Sequence, residues 1–123
     1  MYVFNTSIYG EISTTASEDT ESKAQAIWTT HIGLYLFVAK CICCGHKEID
    51  PFDFECGHVR AHSKGGSMHI RNLVPICSTC NKDMGNQHMR RFMQLQFGRC
   101  LTVALRLTKI LNRRAGRIQK NIP

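Results

Sequence analysis

Apolar residues return at three- and four-residue steps through the first third of the chain: Ala24, Ile27, Trp28, Ile32, Tyr35, Leu36 and Ala39. That spacing puts them on one face of a helix, predicted over about Glu18 to Ala39, and a face of this kind is built for core packing. Ser17 or Thr20 is placed to cap it, ahead of an acidic first turn. Before it, residues 1–15 show no clear period beyond a candidate strand at YVF. From Cys41 the helical period breaks into short pieces. CICCGHKEIDP is a turn-rich knuckle, FDFECGHV a strand, AHSKGG a loop and MHIRNLVPI a second strand. The period returns in STCNKDMGNQHMRRFMQLQF, predicted as one helix in spite of Gly85, and again after Gly98, from about Cys100 to Gln119.

The last helix is two-sided. At 100° per residue, Arg99, Arg106, Lys109, Arg113, Arg117 and Lys120 fall within roughly 80° of one another. Cys100, Ala104, Leu107, Leu111 and Ile118 occupy the far side and are expected to pack on the core. Residues 89–123 hold nine basic side chains and no acid. This concentration, more than the net charge of +7, points to phosphate contact. A membrane surface is the weaker reading, because the apolar side is assigned to packing.

At 123 residues and 14.0 kDa the chain is expected to form one domain with a small core, for which a bound metal would be an unsurprising second source of stability. Three segments are expected: an N-terminal helical extension (1–40), a central module (41–92) and a basic C-terminal helix (93–123). No secretory signal pattern is present, and the longest apolar run, IGLYLFVA, is too short to span a bilayer. The expectation is a soluble intracellular protein that engages no membrane. The sequence leaves the oligomeric state open.

Seven cysteines do not make a paired disulfide set. Cys41-x-x-Cys44 and Cys77-x-x-Cys80 are two short loops that can each turn two thiolates onto one ion, together a tetrahedral Zn²⁺ site. Cys43 could stand in for Cys41, although its spacing to Cys44 is sterically poor. Cys56 and Cys100 read as small buried side chains. A zinc held by four thiolates is coordinatively closed and structural, so any chemistry lies elsewhere.

Gly57-His58-Val59, Gly65-Gly66, Asn72-Leu73, Cys77-x-x-Cys80 and Asn81 resemble, in order and spacing, the HNH endonucleases, in the zinc-knuckle branch whose third letter is asparagine. The resemblance covers residues 41–92. It implies an α+β fold, a small ββα-metal core with a four-cysteine zinc knuckle, flanked here by the N-terminal helix and the basic last helix. It also implies a DNA phosphodiester hydrolase leaving 5′-phosphate and 3′-hydroxyl ends. His58 would be the general base and Asn72 would bridge the loop and orient the imidazole. Asn81 would ligate a catalytic Mg²⁺ or Mn²⁺. Arg60 and Lys64, beside the paired glycines, are candidates for phosphate contact, as is the basic face of the last helix.

One position departs from the family pattern. Many members carry an aspartate or histidine just before the base as a second metal ligand, and this chain has Gly57. Asp53, Glu55, Cys56, His62, Asp83 and His88 are the candidate replacements. The departure also supports a second reading, a non-catalytic zinc-stabilised nucleic-acid-binding module on the same fold. A zinc-bearing protein-interaction module is a third, and leaves the basic C-terminus unexplained. No base-reading element is recognisable, so little sequence specificity is expected.

Overall fold

The computed structural model describes residues 14–121. The candidate strand at YVF lies outside them. The fold is α+β, with four helices among the described residues and two small antiparallel sheets. In chain order these are α1 (Thr14–His31), β1 (Ala39–Lys40), β2 (Glu48–Ile49), β3 (Glu55–His58), β4 (Leu73–Ile76), α2 (Ser78–Met84), α3 (Met89–Phe97) and α4 (Leu101–Lys120).

Helix α1 begins earlier and ends earlier than its apolar period suggested. Ser17 and Thr20, expected as caps, lie inside it. It stops at His31 because Gly33, at φ +127°, reverses the chain and sends its N–H back to the Trp28 carbonyl (3.1 Å). Ala24, Ile27, Trp28 and Ile32 are buried as expected, while Tyr35 and Leu36 belong to an irregular segment. That segment is held by Trp28, whose indole N–H donates to the Leu36 carbonyl (3.1 Å).

The two strands of the central hairpin are also shorter than their apolar runs. β3 and β4 pair with Glu55 opposite Ile76 and His58 opposite Leu73. An Asp50–Asp53 turn, with Phe52 N–H donating to Asp50 Oδ1 (2.8 Å), precedes β3. A short 3₁₀ turn at Ile70–Asn72, capped by His69, precedes β4. Local side-chain hydrogen bonds of this type compete with strand pairing, and here they win at both strand starts.

The predicted 78–97 helix is two helices. Gly85 adopts φ +56°, ψ −124°, a conformation open mainly to glycine, and ends α2. His88 then caps α3, its Nδ1 accepting from Arg90 N–H (3.2 Å). α2 packs on β3, and the Met89 N–H donates to the Val59 carbonyl (2.9 Å), which ties α3 to the hairpin. One core joins α1, the hairpin and these helices around Phe54, Phe92, Met89 and Met93, with Trp28 against Phe54 at 5.5 Å between centroids.

The largest departure is in α4. Its packed face is Leu101, Ala104, Leu105, Thr108, Asn112, Ala115 and Gly116. Leu107, Leu111 and Ile118, expected to pack on the core, are 55 %, 52 % and 67 % exposed, and Cys100, expected to be buried, is exposed too. The helix therefore carries three stripes, and the one next to the basic residues is apolar and uncovered.

Candidate functional site

The cysteine cluster forms from two turns. Gly45, at φ +74°, lets its N–H reach the Cys41 carbonyl (2.8 Å) and closes the first knuckle; Cys77 caps α2 and closes the second. The sulfurs of Cys41, Cys44, Cys77 and Cys80 lie within 4.8 Å of one another, all buried. Cys43 is not in this set. Its thiol instead donates to Cys41, the leading reason the Cys41 thiol is lowered to about 4. Burial first, and then the neighbouring thiols, push Cys80 up, and burial likewise raises Cys77. Four buried sulfurs this close together are the donor set and spacing that a tetrahedral divalent cation takes, so the cluster fits zinc.

Arg99 also belongs to the knuckle. Its Nε donates to the Cys43 carbonyl (3.0 Å) and its Nη2 to that of Ile42 (3.2 Å). A side chain at Gly45 would strike this guanidinium. Arg99 is thus separated from the basic stripe in which the helical count had placed it. The count extended the α4 period too far back, towards Gly98, where the backbone is no longer helical.

His58 ends β3, half-buried, with Nε2 3.1 Å from Met68 Sδ and its ring 6.0 Å from that of His62. Burial, then the charges of His62 and Lys23, hold its pKa below the ordinary 6.5, which favours the neutral imidazole. Asn72 clamps the loop that follows. Its Nδ2 donates to the carbonyls of Arg60 (3.0 Å) and Ser67 (2.8 Å), and its Oδ1 accepts from Arg60 N–H (2.9 Å). Gly66 is obligatory in this loop, since a Cβ there would collide with the Arg60 carbonyl. All three of these Asn72 bonds go to the backbone of the loop, while the His58 ring lies against Met68.

Asn81, one turn into α2, donates from Nδ2 to Glu55 Oε1 (2.7 Å). At Gly57, a Cβ would meet Ile76 Cδ1 and come within 2.9 Å of Met89 Cε. The place of the missing ligand is therefore filled by hydrocarbon. Of the replacement candidates, Glu55 touches Asn81, and His62 stands beside His58. Cys56 is fully buried with its thiol pushed up by that burial, and His88 is engaged as a cap. Asp53 lies in the turn before β3, and Asp83 is exposed on α2.

Arg60 and Lys64 lie on the Asn72-clamped loop, and Arg106, Lys109, Arg113, Arg117 and Lys120 are exposed along one side of α4. Among the described residues no helix is long and apolar enough to cross a membrane.

The hairpin and α2 form a ββα unit with a four-cysteine cluster compatible with a zinc knuckle and a histidine closing its first strand. Residues 41–96, under half of the chain, match the model of the family described as HNH endonuclease. No curated protein and no solved structure matches the chain.

Proposed function

We propose that the chain is a metal-dependent endonuclease hydrolysing DNA phosphodiester bonds, with His58 as the general base. The observation that carries this reading is the presentation of His58: an imidazole at the end of β3, its neutral form favoured by burial, beside a loop locked by Asn72. In that state Nε2 can take a proton from a water aimed at phosphorus, once Met68 yields the position it occupies. Asn72 acts as a positioning residue. Zinc on Cys41, Cys44, Cys77 and Cys80 is structural, holding the start of α2 against the hairpin.

Asn81 and Glu55 supply an amide and a carboxylate in contact, a donor pair that suits a hard cation. Mg²⁺ or Mn²⁺ held there would neutralise charge on the scissile phosphate and the leaving oxygen. In this reading Arg60 and Lys64 hold phosphates near the base, and the α4 stripe (Arg106, Lys109, Arg113, Arg117, Lys120) holds the flanking backbone. Contacts of this kind read no sequence, so the reading predicts nicking or double-strand cleavage with little sequence preference.

The hydrocarbon packed at Gly57 favours a second reading, a nucleic-acid-binding module that has lost catalysis. Nicking of supercoiled plasmid separates the two, using zinc-loaded wild type and His58→Ala of matched folding, with Mg²⁺, with Mn²⁺ and with neither. Cleavage that requires the added ion and falls by roughly 10²–10⁴-fold in the variant supports the base role. Tight, salt-sensitive binding with no cleavage under either ion selects the binding module.

A further inference from the structure

Tyr35 is held against α4 by two contacts that have no part in the nuclease centre. Its N–H donates to Asn112 Oδ1 (2.8 Å), and its ring lies over Gly116, where a Cβ would come within 2.7 Å of a ring carbon. Glycine weakens a helix interior, and here its absent side chain is what lets the ring approach. Gly33 contributes from the other side, since any side chain there would strike the Asn112 amide. The ring is fixed in this way without being buried. Tyr35 remains 37 % exposed and lines a cavity of about 370 Å³ together with Asn112, Arg113, Gly116, Arg117 and Lys120.

This lining combines one aromatic ring, one amide and three cations, and contains no acid. Its volume is in the roughly 300–1,000 Å³ range of small-ligand sites. Phosphate contact to a duplex needs the cations alone, because the faces of paired bases are hidden in the stack. A ring beside cations is instead what single-stranded binding uses, a base stacked on the aromatic and the backbone on the charges. We infer that this cavity is a subsite for an unpaired nucleotide of the substrate, its base on Tyr35 and its phosphates on Arg113, Arg117 and Lys120. The inference rests on the nucleic-acid reading above and sharpens its substrate class to nucleic acid with single-stranded character: an end, a gap or a flap.

The test is fluorescence anisotropy with zinc-loaded full-length protein and no added Mg²⁺ or Mn²⁺. Labelled oligo-dT is compared with a duplex of the same length, for wild type, Tyr35→Leu and Tyr35→Phe. Tyr35→Leu should weaken oligo-dT binding about tenfold and leave the duplex unchanged, while Tyr35→Phe keeps both. Equal losses on both ligands, or none on oligo-dT, overturn the subsite. Crosslinking of wild type to 5-iodouracil-substituted oligo-dT avoids any dependence on variant folding. Adducts at Tyr35 are expected, and adducts only elsewhere overturn it. Plasmid nicking on the same preparations keeps the two readings apart. Tyr35-dependent oligo-dT binding without nicking removes the nuclease reading alone; nicking with wild-type oligo-dT binding by Tyr35→Leu removes the subsite alone.

Discussion

The knuckle-and-hairpin region and helix α4 use the same kinds of residue to opposite ends. In the first, apolar side chains such as Ile42, Leu73, Val74 and Ile76 are at most 1 % exposed, and Arg99, reaching in from the link between α3 and α4, is bound to two carbonyls. In the second, Leu107, Leu111 and Ile118 face solvent beside five exposed cations. The difference lies in what fixes each region. Ligand spacing, glycine φ angles and side-chain clamps determine the first locally. The second is a regular helix whose faces acquire meaning only from what happens to pack against them.

If that contrast is right, the largest effect belongs to the metal. Removing zinc, or Cys77→Ser, should unfold the knuckle and hairpin, because structural zinc in small modules contributes on the order of 10–16 kcal/mol in apparent terms. Circular dichroism and tryptophan fluorescence with chelator titration would register it, Trp28 sitting on Phe54 in the same core. A chelated protein that keeps its cooperative thermal transition breaks the account of the first region.

The next largest effect tests the faces of α4 directly. Leu101→Ala should cost about 2–5 kcal/mol, since Leu101 is buried, while Leu111→Ala should stay within about 0.5 kcal/mol. Denaturant midpoints at constant slope measure both. Similar destabilisation at the two positions would mean that the exposed stripe is covered in solution.

This pair also marks where the sequence stopped being legible. The cysteine spacing and the span of the last helix could be read from the chain because each rests on a local requirement, whereas His58 and Asn72 were singled out by a resemblance. The inward face of α4 could not, because a helical wheel shows amphipathicity without saying which side meets the core. Here small residues, Ala104, Ala115 and Gly116, mark the packed side better than leucines do. The break at Gly85 was legible in principle, since a glycine just after a run of helical residues is a stop signal. Glu55 was harder to single out, because its contact with Asn81 joins two elements 26 residues apart.

A smaller effect separates two arginines that the helical count had grouped together. Arg99→Ala should lower stability by about 1–3 kcal/mol, through removal of its charge-assisted bonds to the knuckle carbonyls, and leave the salt dependence of DNA binding unchanged. Arg113→Glu should do the reverse, with stability kept and the log–log salt slope falling by about 0.9 for each phosphate no longer held. Calorimetry and binding across a salt series read the two quantities. A change of slope at Arg99 would return it to the basic stripe.

The finest test asks whether α1, which lies outside the family match, acts on the base inside it. Lys23 on α1 is one of the charges holding the His58 pKa below 6.5, after burial and His62. A general base works unprotonated, so the acid limb of the nicking rate should lie below pH 6.5, rising with pH. Lys23→Met removes a charge that opposes protonation, so the pKa rises and the limb moves to higher pH, with the plateau rate unchanged. Stability follows the same sign. With the folded pKa below the unfolded one, protonation favours unfolding, so stability is lost as pH falls through and below 6.5, and less is lost in the variant. His31 shares this behaviour, its pKa lowered by burial and also by Lys109. The kinetic limb, not the unfolding curve, therefore isolates His58. Lys109→Met is the matched control and should leave that limb where it is. A limb that ignores Lys23, or moves equally with Lys109, would detach α1 from the chemistry and leave the 41–96 segment to set its own base.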